Sequence, residues 1–220
     1  MAVSDYISFL REWMRNPKSV AAVSPSSPAL AALITSRINA DTGPVLELGP
    51  GTGSFTRELI KHGVKEHDLT LIETSRIFAH QLQERFPTAT ILRMDAARIA
   101  ETPLLNRGEI GAVVCGLGLL NMPVTAIEKI VEGGISVLRP GGQFFLFTYG
   151  PKCSIPDVVL ERFGLEATRI GKALLNIPPA TVYSIHRKQG SNHSIACAVP
   201  ACLNEIKITE PLHDTERSVL

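Results

Sequence analysis

A chain of 220 residues, 45% hydrophobic and 20% charged, has enough apolar material for one well-filled globular domain and too little length for two. Its formal net charge of +1 speaks against a protein that grips long nucleic acid, because that affinity comes from a strong basic excess. Cys115, Cys153, Cys197 and Cys202 form no CxxC pair, and His193 with Cys197 and Cys202 lacks a fourth ligand, so no metal is expected and the setting reads as reducing.

At the N-terminus, Asp5 and Glu12 interrupt any signal-peptide h-region, and no uncharged stretch approaches a membrane span. Ser4–Arg15 places Tyr6, Phe9, Leu10, Trp13 and Met14 at helical spacing, with Arg11, Arg15 and Lys18 near its end. Ser24-Pro25-Ser26-Ser27-Pro28 then caps a helix expected to run from Pro28 to about Asn39. From Pro44, short apolar runs alternate with amphipathic segments, the pattern of βαβ units and a mainly parallel sheet. Strands are expected at Pro44–Leu48, Leu69–Glu73, Thr90–Arg93, Ile110–Cys115 and Gln143–Thr148. Helices are expected at Ser54–His62, Ser75–Phe86 and Thr125–Leu138, the last broken by Arg139-Pro140-Gly141-Gly142. Glu166–Leu174 and Thr181–Arg187 read as an antiparallel hairpin. The expected organisation is an N-terminal helical segment (1–40), an α/β domain (41–188) and a loosely ordered tail (189–220).

The chemistry concentrates in Glu47-Leu48-Gly49-Pro50-Gly51-Thr52-Gly53, where a strand enters a glycine-rich turn that opens a helix. Glycines suit that place because the backbone must turn sharply and approach a ligand with no Cβ in the way. Thr56 stands where a dinucleotide fingerprint wants glycine, and no Lys-Ser/Thr pair marks a P-loop. The E-x-G-x-G-x-G pattern resembles motif I of class I methyltransferases. That implies a Rossmann-like α/β fold, a mostly parallel seven-stranded sheet with an antiparallel C-terminal hairpin, and S-adenosylmethionine as cofactor. Glu73, followed by Thr74, ends the second strand about twenty residues after the turn, where Rossmann-type folds place the carboxylate that holds ribose hydroxyls. Asp95 and Ala96 follow the third strand, where this fold contacts the adenine edge, and Gly116 follows the fourth. Taken singly, Glu73 and Asp95 also suit the caps of the helices after them.

From Phe9 to about Arg187 the chain resembles the bacterial phosphatidylethanolamine N-methyltransferases of the rhizobial type. The likeness lies in Phe9-Leu10-Arg11, Asn16-Pro17, Ser24–Leu30, Leu46–Gly53, Val114–Leu117, Leu119–Pro123, Phe147–Pro151 and Asn176–Tyr183, with Gly118 standing where that family has proline. The resemblance implies stepwise methylation of the ethanolamine amine towards phosphatidylcholine. It also implies membrane phospholipid as partner, contact with an anionic lipid surface through the N-terminal helix, and a peripheral position on the inner face of the cytoplasmic membrane. Tyr149, Asn121 and Tyr183 are the candidate substrate-side residues, because aromatic faces at the strand ends can hold methylammonium products. The competing reading of the tyrosines is packing with a hydrogen-bonded hydroxyl. An RNA adenine dimethyltransferase shares the glycine turn, but Asn121-Met122-Pro123 is followed by Val124 rather than an aromatic that stacks a base. A lipid-surface protein that has lost catalysis fits poorly with an intact Glu47, Gly49, Gly51, Gly53 and Glu73.

Overall fold

The computed structural model describes residues 26–188; the expected N-terminal helix, the tail and its His193, Cys197 and Cys202 lie outside them. Helix α1 (Pro28–Ile34) begins where Ser27 Oγ accepts from Leu30 N–H at 3.2 Å, with Pro28 pre-set at the first helical position. It stops five residues short of the expected Asn39. The Thr35 hydroxyl donates to the Ala31 carbonyl and the Ser36 hydroxyl to that of Leu33, local bonds that compete with helix propagation. Asn39 instead caps a separate turn at Ala40–Thr42.

The succession β1 (Val45–Leu48), α2 (Ser54–Lys61), β2 (Leu69–Ile72), α3 (Arg76–Arg85), β3 (Thr90–Leu92) and β4 (Ile110–Cys115) follows the expected boundaries to within a residue or two. Helix α4 (Val124–Val137) leads into β5 (Leu138–Thr148), a short α5 (Asp157–Arg162), β6 (Leu165–Ala173) and β7 (Ala180–Arg187). The seven strands lie in the order β3-β2-β1-β4-β5-β7-β6, and β7 alone runs against the others. The expected class I methyltransferase sheet is present.

Two elements differ from expectation. Arg139-Pro140-Gly141-Gly142 is not a turn before β5 but part of it: Leu138 pairs with Ile110, and the register then shifts so that Ala112 faces Gln143. The bulge takes up the extra residues of β5, with Gly141 at φ +80°, while Gly111 keeps its N–H on the β1 side, bonded to the Pro44 carbonyl at 2.8 Å. Helix α5, capped by Pro156, has only six residues, too few for a clear hydrophobic period.

Every residue of β1 and β4 is buried, as for parallel strands covered on both faces. On one face Leu46, Leu48, Val113, Cys115 and Leu146 pack against α4; on the other Val45, Val114, Phe145 and Phe147 pack against α1 and α2. Burial pushes the Cys115 thiol up to about 12, so this cysteine is an inert core residue. No helix among the described residues is long and apolar enough to cross a membrane.

Candidate active site

The sheet reverses its direction of winding between β1 and β4, and open α/β sheets bind ligands in the crevice outside the carboxyl ends of such strands. A cavity of about 770 Å³ lies there, within the size of a small-molecule site. Gly49, Gly51, Glu73, Thr74, Asp95, Ala96, Gly116 and Asn121 all line it. Pro50, Thr52 and Gly53 shape the turn without lining the cavity: the Pro50 carbonyl accepts from Gly53 N–H, and the Thr52 carbonyl faces outward to Arg57 and Arg85.

Gly49 and Gly53 are in the left-handed region at φ +70° and +75°, and a Cβ on either would strike Leu117 or Phe86 within 2.7 Å. Gly51 is also left-handed, but a Cβ there meets nothing in the chain and would point into open space. Gly51→Ala is therefore expected to fold at a cost of about 1 kcal/mol. It should weaken S-adenosylmethionine binding roughly tenfold to a hundredfold, since one methyl too many in a filled site costs about 1–3 kcal/mol. Calorimetric titration checks this; unchanged affinity would put the turn off the ligand.

Glu73 is 7% exposed at the end of β2. One carboxylate oxygen accepts from Gly51 N–H at 3.1 Å and the other from Ser75 N–H at 2.8 Å. Each oxygen keeps a second acceptor position, which together match the two hydroxyls of a ribose. Asp95 caps the turn Ala96–Glu101 by accepting from Ala97 N–H at 2.9 Å, so the capping reading is realised, and its exposed carboxylate still faces the cavity. The N–H of Ala96, first in that turn, has no acceptor within it. Phe78, Met94 and Leu117 add apolar walls that motif reading did not single out. As ordinary hydrophobic residues next to recognised ones, they carry no pattern separating a ligand wall from core. The residues thus fit an adenosyl group: Glu73 for the diol, Asp95 and Ala96 for the base edge, and the apolar walls for the ring faces.

Glu47 does not line the cavity. It is fully buried beneath α2 on the opposite face of β1 from Leu46 and Leu48. Thr56 Oγ1 donates to one of its oxygens at 2.7 Å, and the other has no partner. Burial pushes its carboxyl from 4.5 up to about 7, with the Thr56 bond and Arg57 opposing the rise.

On the substrate side, Asn121 sits on the turn Leu119–Asn121. Gly118 before it adopts φ −77°, a value that proline would supply, so the turn keeps that backbone shape without one. Tyr149 follows the end of β5, half-buried, its ring edge-on to Phe147 at 5.3 Å, its hydroxyl hydrogen-bonded to Asn176. Burial raises the Tyr149 pKa. Neither tyrosine lines the cavity: Tyr149 packs with Phe147 on the α1 and α2 side, and Tyr183 pairs with Leu146 in mid-sheet and packs into the cluster on the α4 face.

The glycine turn at the switch point and the buried carboxylate one strand away are arranged as a Rossmann-like methyltransferase fold would place them. Residues 45–142 match the family model described as a methyltransferase domain, and the protein is an S-adenosylmethionine-dependent methyltransferase. The chain is 27% identical over 187 residues to an ornithine lipid N-methyltransferase from Singulisphaera acidiphila, covering 82% of this chain and 95% of that protein. Among solved structures it is similar to a glycopeptide N-methyltransferase complexed with S-adenosylmethionine, at a TM-score of 0.59 and 16% identity over 76% of this chain and 96% of the other. A TehB-like S-adenosylmethionine-dependent methyltransferase from Corynebacterium glutamicum superposes at a TM-score of 0.55 and 16% identity, over 85% and 100%.

Proposed function

We propose that this methyltransferase acts on the amine of a membrane phospholipid, converting phosphatidylethanolamine through its mono- and dimethyl derivatives towards phosphatidylcholine. The observation that carries the reading is the extent of the likeness to the ornithine lipid N-methyltransferase. It spans 82% of the chain, well beyond residues 45–142, and so takes in segments outside the methyltransferase domain itself. The sequence resemblance to phosphatidylethanolamine N-methyltransferases points to the same chemistry and narrows the head group.

S-adenosylmethionine supplies a methyl on a sulfonium; the C–S bond breaks, an N–C bond forms, positive charge passes to nitrogen, and the amine's proton leaves to solvent. The chain's own residues orient and desolvate. Burying a cationic amine favours its neutral, nucleophilic form, so no strong base is required. Tyr149 is no such base: with its pKa raised, its hydroxyl stays protonated and holds Asn176. Its ring and the Asn121 amide are the groups at the strand ends suited to a methylated ammonium. Attachment to anionic lipid through Ser4–Arg15 belongs to the same reading.

Labelled S-adenosylmethionine with vesicles of phosphatidylethanolamine is expected to give mono-, di- and trimethylated lipid in sequence. Labelling of ornithine lipid alone, with phosphatidylethanolamine untouched, would overturn the head-group assignment and keep the lipid amine.

A further inference from the structure

The loop between β6 and β7 is held rigidly at its centre yet presents aliphatic side chains to solvent. Asn176 is 3% exposed; its side-chain oxygen accepts from Ser27 N–H at 3.0 Å and its amide donates to the Pro178 carbonyl at 2.7 Å. Around this pin, Leu174, Leu175 and Ile177 are 69%, 84% and 67% exposed. Single exposed aliphatics are ordinary, but three within four residues of a fixed loop form a patch.

The patch belongs to a wider asymmetry. Among the described residues eight large hydrophobic side chains are exposed, and seven lie at the end of the sheet that holds the cofactor cavity. Ile77 opens α3 after β2, Leu120 and Val124 follow β4, Val158 opens α5 after β5, and the remaining three are in the β6–β7 loop; only Leu104 lies elsewhere. Leu120 also approaches Gly150, which links the rim of the cavity to the end of β5. Lys152 and Lys172 flank the β5 and β6 ends of this surface, exposed and, among the described residues, with no carboxylate paired to them. The far end of the sheet is different in kind: Arg37, Arg139 and Arg187 surround a groove of about 720 Å³ there.

We propose that the cavity-bearing end of the molecule is a membrane-contact face, with Leu174, Leu175 and Ile177 entering an anionic bilayer and Lys152 and Lys172 at the head-group level. The proposal rests on the lipid-methylating reading above, which requires the amine of a bilayer lipid to reach the cavity from this end. The chemistry of the patch favours lipid over protein, because protein hot spots are dominated by Trp, Tyr and Arg and the patch contains none. Aliphatic side chains beside exposed lysines match an acyl layer beneath anionic head groups.

The test uses the full chain and vesicles of phosphatidylethanolamine with phosphatidylglycerol, without methyl donor, so that its result is independent of which lipid is methylated. L174S/L175S/I177S is expected to reduce co-sedimentation at least about tenfold. Calorimetric affinity for S-adenosylmethionine and the thermal midpoint should stay unchanged, and Leu104→Ser should leave vesicle binding intact. Equal co-sedimentation of the triple variant and the wild type would overturn the proposal. Should the triple variant fail to fold, Leu175→Trp in a Trp13→Phe background replaces it. Quenching of that tryptophan by brominated lipid is expected, and its absence overturns the proposal.

Discussion

Glu73→Ala is expected to lower the affinity for S-adenosylmethionine at least about a hundredfold. Two hydroxyl bonds to an ionised acceptor are lost, and each contributes about 1.5–3 kcal/mol. The carboxylate also organises the apo site, because it accepts from Gly51 and Ser75 N–H groups. Removing it leaves both donors to water at the cavity edge, so a stability loss of about 1–2 kcal/mol accompanies the binding defect. The binding loss is the larger effect, and calorimetry beside urea denaturation separates the two. Unaltered cofactor affinity would remove Glu73 from the ribose position and with it the assignment of the cavity.

Glu47 makes the stability of the protein depend on pH in the opposite sense from an ordinary paired carboxylate. Its folded-state pKa is raised from 4.5 to about 7, first by burial, so the native state keeps a proton that the unfolded chain releases between those values. Stability therefore falls as pH rises through that window, by up to about 3 kcal/mol at completion. Glu47→Gln keeps an oxygen for Thr56 and removes the titration. The wild type should lose stability relative to the glutamine variant between pH 4.5 and pH 8, measured by urea denaturation at half-unit steps. A difference that stays flat across that range would show that Glu47 is already ionised in the folded protein.

What was legible in the sequence is what local chemistry dictates. The glycine turn, the helix after it and the carboxylate at the end of β2 follow from spacing within about thirty residues, and structure places Gly49, Gly51, Glu73, Asp95 and Gly116 around one cavity. The reversed β7 was readable from two extended segments joined by a proline-containing loop. Residues whose role depends on a face of the sheet were not readable in the same way. Alternation puts Glu47 opposite Leu46 and Leu48, but only the packing of α2 decides that its face is the closed one.

Tyr149 and Tyr183 look alike as residues near the ends of apolar strands. The register that sets Tyr183 against Leu146 turns it into the α4-side core, whereas Tyr149 lies past the last paired residue of β5 and reaches Asn176. The bulge through Arg139–Gly142 is defined only by the pairing of β5 with β4, a strand far earlier in the chain. Composition, spacing and turn chemistry thus marked the α/β fold and the residues that gather around one cavity, and the resemblance to methyltransferase motif I gave the class of protein. Which side of each strand faces the cavity, and that nearly every exposed aliphatic among the described residues gathers at one end, was decided by tertiary structure alone, because strand register and helix docking join residues far apart in the chain.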